Sequence, residues 1–330
     1  MKFLQLNFDI QCLIALVLVI SSGNSFAKIG PEDPKGRLHA LETDLINQDV
    51  PADTLVPSSE DYSIRWFYSN TSQDVRGIAL VIHGLNLRPD KMKSIITGLT
   101  DSGIDVLNLS LLGHGKNYSH RNSIDTARAR LESFKKASYQ LWIDEIYSAY
   151  KAAKNRSDHR NVPLFFVGYS LGGLIGLDLF ASRPEIKFDR MVLFAPALKM
   201  HLRNYLLRLL SPFPRLTLPS FTLMSYQSNA GTPMAAYNAL FESYKHFHQN
   251  MSIKINVPTV IFIDKEDEIV SFKRLKKMIE KQKLDQWTFH IVQKEKTGDA
   301  GRIHHLIIDE LSTGKDVWKE MMDVMIKHLL

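Results

Sequence analysis

The sequence has a single cysteine, Cys12, among its 330 residues. No intrachain disulfide can form, and no paired-cysteine metal site exists. A large excess of one charge sign is missing too. The 41 Lys and Arg against 35 Asp and Glu leave +6, and no basic run is dense enough to follow a nucleic-acid backbone. Nucleic acid is therefore not an expected partner. Rossmann fingerprint, phosphate loop, internal repeats and low-complexity segments are all missing, so no cofactor is expected. Long apolar runs are absent as well: the most apolar segment, Cys12–Ile20, has nine residues, against the ~20 of a membrane-spanning helix.

What is present is a globular balance, 45% apolar and 23% charged, in a chain long enough for one large α/β domain or two smaller ones. Met1–Ala27 reads as a secretory signal peptide. Lys2 supplies the early positive charge, Cys12–Ile20 the apolar region, and Ser25-Phe26-Ala27 the small-residue cleavage site. Asp9 is atypical there. Cys12 precedes the apolar run, where a lipid-modified cysteine would follow it. Cleavage after Ala27 removes Lys2 and Asp9, so the mature chain keeps +6 and has no cysteine. That suits an exported bacterial protein, periplasmic or secreted. Asn70, Asn108, Asn117, Asn155 and Asn250 sit in N-x-[ST] sequons. Asn108 falls in an apparently buried strand, so the set is taken as chance.

Residues 28–61 form a Pro- and acid-rich lead-in. From 62 onward, strands and helices alternate, the pattern of a mostly parallel sheet with crossover helices. Strands are expected at 63–68, 77–82, 104–109, 163–167, 191–194, 257–263 and 287–292. Helices are expected at 90–102, 126–154, 171–182, 271–282 and 315–330, the second as one long helix with Leu131, Phe134, Tyr139, Trp142, Ile146 and Tyr150 on one face. The alternation stops at about 199–252, which reads as an inserted cap because it exceeds an ordinary crossover.

Gly168-Tyr-Ser-Leu-Gly-Gly173 directly follows one strand and opens a helix. A G-x-S-x-G run in that setting exposes its serine, Ser170, at the apex of a tight strand-to-helix turn. Helix N–H groups then face any negative charge that develops there. A serine hydroxyl needs a base, and the base an orienting acid, in the chain order Ser, acid, His. Asp267 is the expected acid, in Asp264-Lys-Glu-Asp-Glu-Ile-Val270. Asp264 comes straight off the strand and serves to end it, and Glu266 and Glu268 are expected to face solvent. The base is one of His304 and His305, with His305 preferred and His304 the alternative. An oxyanion hole needs two backbone N–H groups. Leu171, after the nucleophile, and Leu85, in Val81-Ile-His-Gly-Leu85, supply them. His83 shapes that loop and is not a second base.

Together these residues resemble the α/β-hydrolase superfamily, and within it the monoacylglycerol lipase, lysophospholipase and serine aminopeptidase group. Carrying the resemblance are Ile82-His-Gly84, Leu112-Gly-His-Gly115, Gly168–Gly173, Ala195-Pro-Ala197, Asp267-Glu-Ile-Val270, and His304-His305 with Glu310. It implies the α/β-hydrolase fold over residues 62–330, a cap inserted after Ala195-Pro-Ala197, and Ser170, Asp267 and His305 as triad. Three positions depart from the group's pattern. Leu112 stands where Arg is usual, Asp264 where Gly is common, and the acid–base spacing of 38 residues implies an extended loop at 294–302.

The cap is apolar, in Leu202–Leu210, Pro212-Phe-Pro214 and Phe221–Met224. That suits an acyl chain, or transient contact with a membrane surface. Hydrolysis of a carboxylic ester, of the acyl-glycerol or lysophospholipid type, is the leading expectation. An aminopeptidase-type peptidase needs an acidic anchor, and the cap has only Glu242. A non-catalytic lipid-binding protein on the same fold would require a lost triad member, and none is lost. His246 and His248 lack a carboxylate or Cys partner that would make them a metal pair, so no metal is expected.

Overall fold

The computed structural model describes residues 63–69, 75–120, 122–295 and 298–330. The expected signal peptide and lead-in lie outside them. Among the described residues, no helix is long and apolar enough to cross a membrane.

Seven strands form one sheet: β1 (Ile64–Phe67), β2 (Gly77–Ile82), β3 (Ile104–Leu109), β4 (Leu164–Tyr169), β5 (Arg190–Phe194), β8 (Thr259–Ile263) and β9 (Trp287–Ile291). Their spatial order is β1-β3-β2-β4-β5-β8-β9. Only β1 is antiparallel to its neighbour. Every residue of β2, β3 and β4 is buried, which explains their near-continuous apolar runs: both faces are covered. Ile78, Leu80 and Ile82 of β2 join one core, and Ala79 and Val81 the other, as the two-residue period of a strand requires.

Seven α-helices longer than one turn are described: α1 (Lys93–Asp101), α2 (Thr126–Phe134), α3 (Tyr139–Arg160), α4 (Leu171–Ser182), α5 (Met234–Asn250), α6 (Phe272–Lys281) and α7 (Lys315–Leu329). Helices α3, α4, α5 and α6 feed the first core, and α1 and α7 the second. The expected single helix over 126–154 is two helices, and the second runs on to Arg160. Asp125 caps α2 through the Arg128 N–H, and Ser138 caps α3 through the Leu141 N–H. Between them the chain turns to seat Phe134, fully buried, against His114 (ring centroids 4.6 Å apart) and near Trp142 (6.4 Å). Phe134 and Trp142 face one core across the break, so the apolar period in the sequence runs through it without interruption.

Asp105, buried in β3, is satisfied locally. Asp105 accepts from the Ser69 N–H (2.7 Å) and from Arg156 Nε (2.8 Å), and the Arg156 guanidinium lies over the rings of Trp66 and Tyr68. Asn108 is buried in β3.

The stretch between β5 and β8 has two parts. Leu202–Leu210 is a 3₁₀ helix with no buried residue. The short antiparallel pair β6 (Thr217–Leu218) and β7 (Thr232–Pro233) follows. Then α5, buried from Met234 through Phe247 along its inner face, joins the core beside α4.

Candidate active site

The candidate residues sit on loops at the carboxyl ends of four strands, where open parallel sheets bind ligands. Ser170 follows β4. Its backbone has φ 50°, ψ −112°, a left-handed conformation costing a non-glycine residue about 1–3 kcal/mol. Three backbone bonds hold it: Ser170 N–H to Phe194 O (2.9 Å), Ala197 N–H to Ser170 O (3.0 Å) and Leu174 N–H to Ser170 O (3.2 Å). Close packing explains the glycines around it. A Cβ on Gly172 would lie 2.7 Å from the His83 carbonyl oxygen, and one on Gly84 2.8 Å from the Tyr169 ring and 3.3 Å from Ser170 Cβ. The first turn of α4 and the loop after β2 therefore pass each other at backbone contact distance, beside Ser170. Leu171 opens α4 and Leu85 follows Gly84. The Leu171 N–H is among those a helix start leaves without an intrahelical partner.

His305 Nε2 lies 2.8 Å from Ser170 Oγ, and His305 Nδ1 2.8 Å from Asp267 Oδ2. All three side chains are buried. The other carboxylate oxygen of Asp267 accepts the N–H groups of Ile269 and Val270, each at 2.7 Å. Those two residues thus fold the loop around the carboxylate, leaving one oxygen for the imidazole. The Tyr169 ring lies tilted against the His305 ring, centroids 5.4 Å apart, and its hydroxyl donates to the His305 carbonyl (3.2 Å).

His304 points elsewhere. Its Nδ1 is 2.7 Å from Asp264 Oδ2 and its Nε2 3.4 Å from Glu266. Asp264 also accepts the Glu266 N–H (2.8 Å), so the residue standing where Gly is common builds the loop as well as ending the strand. Glu268 corrects the expectation of a solvent-facing side chain: its oxygens accept the backbone N–H groups of His304 and His305, each at 2.9 Å. The 294–302 segment, whose residues 296 and 297 lie outside the described set, contains a single helical turn at Gly298–Gly301.

Beneath the β2 loop lies a polar layer that sequence reasoning missed, apart from the loop-shaping role of His83. His83 Nε2 accepts the Leu111 N–H (3.1 Å), so its Nδ1 carries the proton and donates to the Gly84 carbonyl (2.8 Å). His114 Nε2 accepts the Asn86 N–H (3.0 Å). Burial pulls His83 down from 6.5 to about 4 and holds His114 well below the usual range. Both are neutral supports. At the Arg-to-Leu112 departure, the Leu112 N–H donates to Glu145 (2.9 Å) and its carbonyl accepts from the Trp142 indole (3.3 Å).

Asn86, at φ 52°, bridges this loop to the segment preceding α5. Its amide donates to Ser220 Oγ (2.5 Å) and the Asn229 carbonyl (3.0 Å), its side-chain oxygen accepts the Asn229 N–H (2.9 Å), and its carbonyl accepts the Ser228 N–H (2.9 Å). On the other side, His201 Nε2 donates to the Asp267 carbonyl (2.9 Å), Arg203 to the Glu268 carbonyl (3.0 Å) and Asn204 to the Ile269 carbonyl (3.1 Å). An asparagine at a left-handed turn was the one sequence signal available for Asn86.

Against the expectation that neither ring has a carboxylate partner, His246 Nδ1 pairs with Asp178 (2.6 Å) on α4, while His248 Nε2 donates to the Leu198 carbonyl (3.0 Å). The two rings serve separate structural contacts. Among the described residues, no group of three His, Cys, Asp or Glu is placed to hold a metal ion.

A parallel sheet carrying a strained serine between strand and helix defines an α/β-hydrolase. Residues 73–255, more than half of the chain, match the family described as serine aminopeptidase, S33, and the chain belongs to that family. No curated protein matches the sequence. Among solved structures, the chain is similar to a soluble variant of monoglyceride lipase from Saccharomyces cerevisiae in complex with a substrate analogue (15% identity, TM-score 0.63, covering 85% of this chain and 100% of that one). It is also similar to the metagenome-derived lipolytic enzymes LipS and LipT (20%, 0.60, 79% and 96%) and to Paleococcus ferrophilus monoacylglycerol lipase (17%, 0.56, 80% and 98%). At these identities the likeness is one of fold.

Proposed function

We propose that the protein is a serine carboxylester hydrolase acting on acyl-glycerol or lysophospholipid-like esters. The observation that carries this reading is the hydrogen-bond chain Ser170–His305–Asp267, at 2.8 Å in each link. In this mechanism His305 takes the Ser170 proton as Oγ attacks the ester carbonyl. The Leu171 and Leu85 N–H groups hold the oxyanion. The alcohol leaves with the proton from His305, and water, activated by the same imidazole, releases the acid. Asp267 orients the ring and stabilises its charged form. His304, bonded to Asp264, is not the base in this reading.

The substrate class draws support from the cap. Leu202, Leu206 and Leu209 are 73%, 66% and 76% exposed, and Phe213, Phe221 and Met224 are exposed with them. Apolar side chains flanked by Arg203 and Arg208 suit a lipid surface and an acyl substrate drawn from it. The family assignment supports a second reading, an aminopeptidase. Glu242, the acidic residue available in the cap as an amine anchor, is exposed on α5. The Met1–Ala27 leader supports an exported, periplasmic or secreted enzyme.

Ser170→Ala should abolish hydrolysis of p-nitrophenyl esters and labelling by a fluorophosphonate probe. Full activity in that variant would sink the mechanism. A chain-length series of acyl esters beside aminoacyl amides separates the two readings, and preference for the amides would favour the peptidase.

A further inference from the structure

We infer that Lys294 and Glu268 are positioning residues that hold the base in register by clamping the backbone of the His305 loop from two sides. The inference rests on the reading of His305 as base to Ser170. Glu268 takes the N–H groups of the loop: one carboxylate oxygen accepts from His304 and the other from His305, both at 2.9 Å. Lys294 takes its carbonyls, donating to Ala300 (3.2 Å), Ile303 (2.7 Å) and Leu306 (2.8 Å). An ammonium has three N–H donors, and each finds one acceptor.

The placement of the two clamps matters. Glu268 is the residue after Asp267, so the group that grips the base loop is carried by the loop that presents the acid. Lys294 lies just beyond the end of β9 at Ile291 and ties the same loop to the sheet. The imidazole therefore inherits its position from a backbone fixed to both acid and sheet. Its bonds to Ser170 and Asp267 tolerate little drift, since a misplacement of about 1 Å can cost 10²-fold in rate.

The charge on Lys294 is part of the device. Burial pulls the ammonium down from 10.5 to about 8, and the carboxylates of Asp264, Glu268, Asp309 and Asp267 keep it from falling further. Asp264, Asp267 and Glu268 face it from the acid loop, and Asp309, His304 and His305 belong to the clamped segment. Glu295 adjoins it in the chain, and Asp299 and Arg302 of the same loop are exposed and lie 3.6 Å from each other. A neutral amine keeps two donors for three carbonyls. Between about 8 and 10.5 the unfolded chain binds this proton more tightly than the folded one, so losing it there favours the fold. Activity should therefore decline as pH rises through about 8 without loss of structure.

The test uses the full chain as wild type, Lys294→Met, Lys294→Arg and Glu268→Gln. The kcat and KM for a soluble p-nitrophenyl ester are followed across neutral and alkaline pH. The downfield proton NMR resonance of the His305 Nδ1–H in the Asp267 bond is recorded beside them. Lys294→Met and Glu268→Gln should lower kcat by about 10- to 100-fold with KM little changed, and broaden or erase the resonance. Lys294→Arg should recover activity relative to Lys294→Met and move the alkaline limb upward, because a guanidinium stays charged. Wild-type kcat and an intact resonance in Lys294→Met would overturn the clamp, as would an unmoved alkaline limb in Lys294→Arg. Should Lys294→Met fail to fold, Glu268→Gln and Lys294→Arg decide by the same criteria. A wild type inert toward esters and unlabelled by a fluorophosphonate would defeat the hydrolase reading alone. The resonance would then decide the clamp, upheld by its loss in the variants and overturned by its persistence.

Discussion

Gly172→Ala puts one methyl group where two loops of the site converge. The added Cβ would lie 2.6 Å from the Ile82 carbonyl carbon and 2.7 Å from the His83 carbonyl oxygen, and closer still to the Ile82 oxygen. Ordinary contacts need about 3.5 Å, so something must move by roughly 1 Å. All three obstacles are backbone, at the end of β2, and cannot rotate away. Overpacking of this kind costs about 1–3 kcal/mol or more, which lowers Tm by roughly 2–12 °C at 2–4 °C per kcal/mol. The displaced parts are the first turn of α4, with Leu171, and the His83–Leu85 loop, so kcat should fall by about 10²-fold. Gly98→Ala, in α1, is the control. There the nearest atom is the flexible Met322 sulfur at 3.4 Å, and the exchange should stabilise the helix by about 0.5–1 kcal/mol. Thermal melts and steady-state ester hydrolysis of both variants give the answer. Equal Tm and equal kcat in the two would refute the argument from close approach.

Three further outcomes can be checked. His83 binds its proton at about 4 in the fold against 6.5 in the unfolded chain, so the unfolded state binds more protons in that window. Stability should fall as pH drops from 6.5 to about 4, by up to about 3 kcal/mol from this residue, and urea titrations that give flat stability over that range would contradict it. Leu206→Ser with Leu209→Ser should lower hydrolysis of a vesicle-borne ester several-fold and leave a soluble ester unaffected; equal loss on both would exclude a role at the surface. Mass spectrometry of the protein recovered from its native host should find Lys28 at the amino terminus, and an intact Met1 would disprove cleavage.

Much of the fold was legible because the central strands are buried on both faces. β2 and β3 begin and end where the apolar runs Gly77–Ile82 and Ile104–Leu109 do. The candidate site was legible in part. The serine turn depends on local sequence, and chain order narrowed the acid and the base. The rest depends on contacts between distant segments. Phe134 and Trp142 share one core across a turn, which hid the end of α2. Glu268 looked like one acid among four on a loop, and its partners are backbone groups 36 and 37 residues away. Which of His304 and His305 faces Ser170 is set by the path of their loop, and two adjacent histidines carry no periodicity that could reveal it.

The hydrogen bonds of residues 199–204 and 220–229 bear on how such enzymes could diversify. The first stretch is tied to the Asp267 loop and the second to the Asn86 loop. Exchanging the whole insertion with that of a relative would disturb both of these candidate-site loops at once. Residues 205–219, which carry the exposed Leu206, Leu209 and Phe213, lie between the two anchors. That interval is the natural unit for modular replacement, in the laboratory or over evolutionary time, because its sequence can change while the loops on either side stay moored.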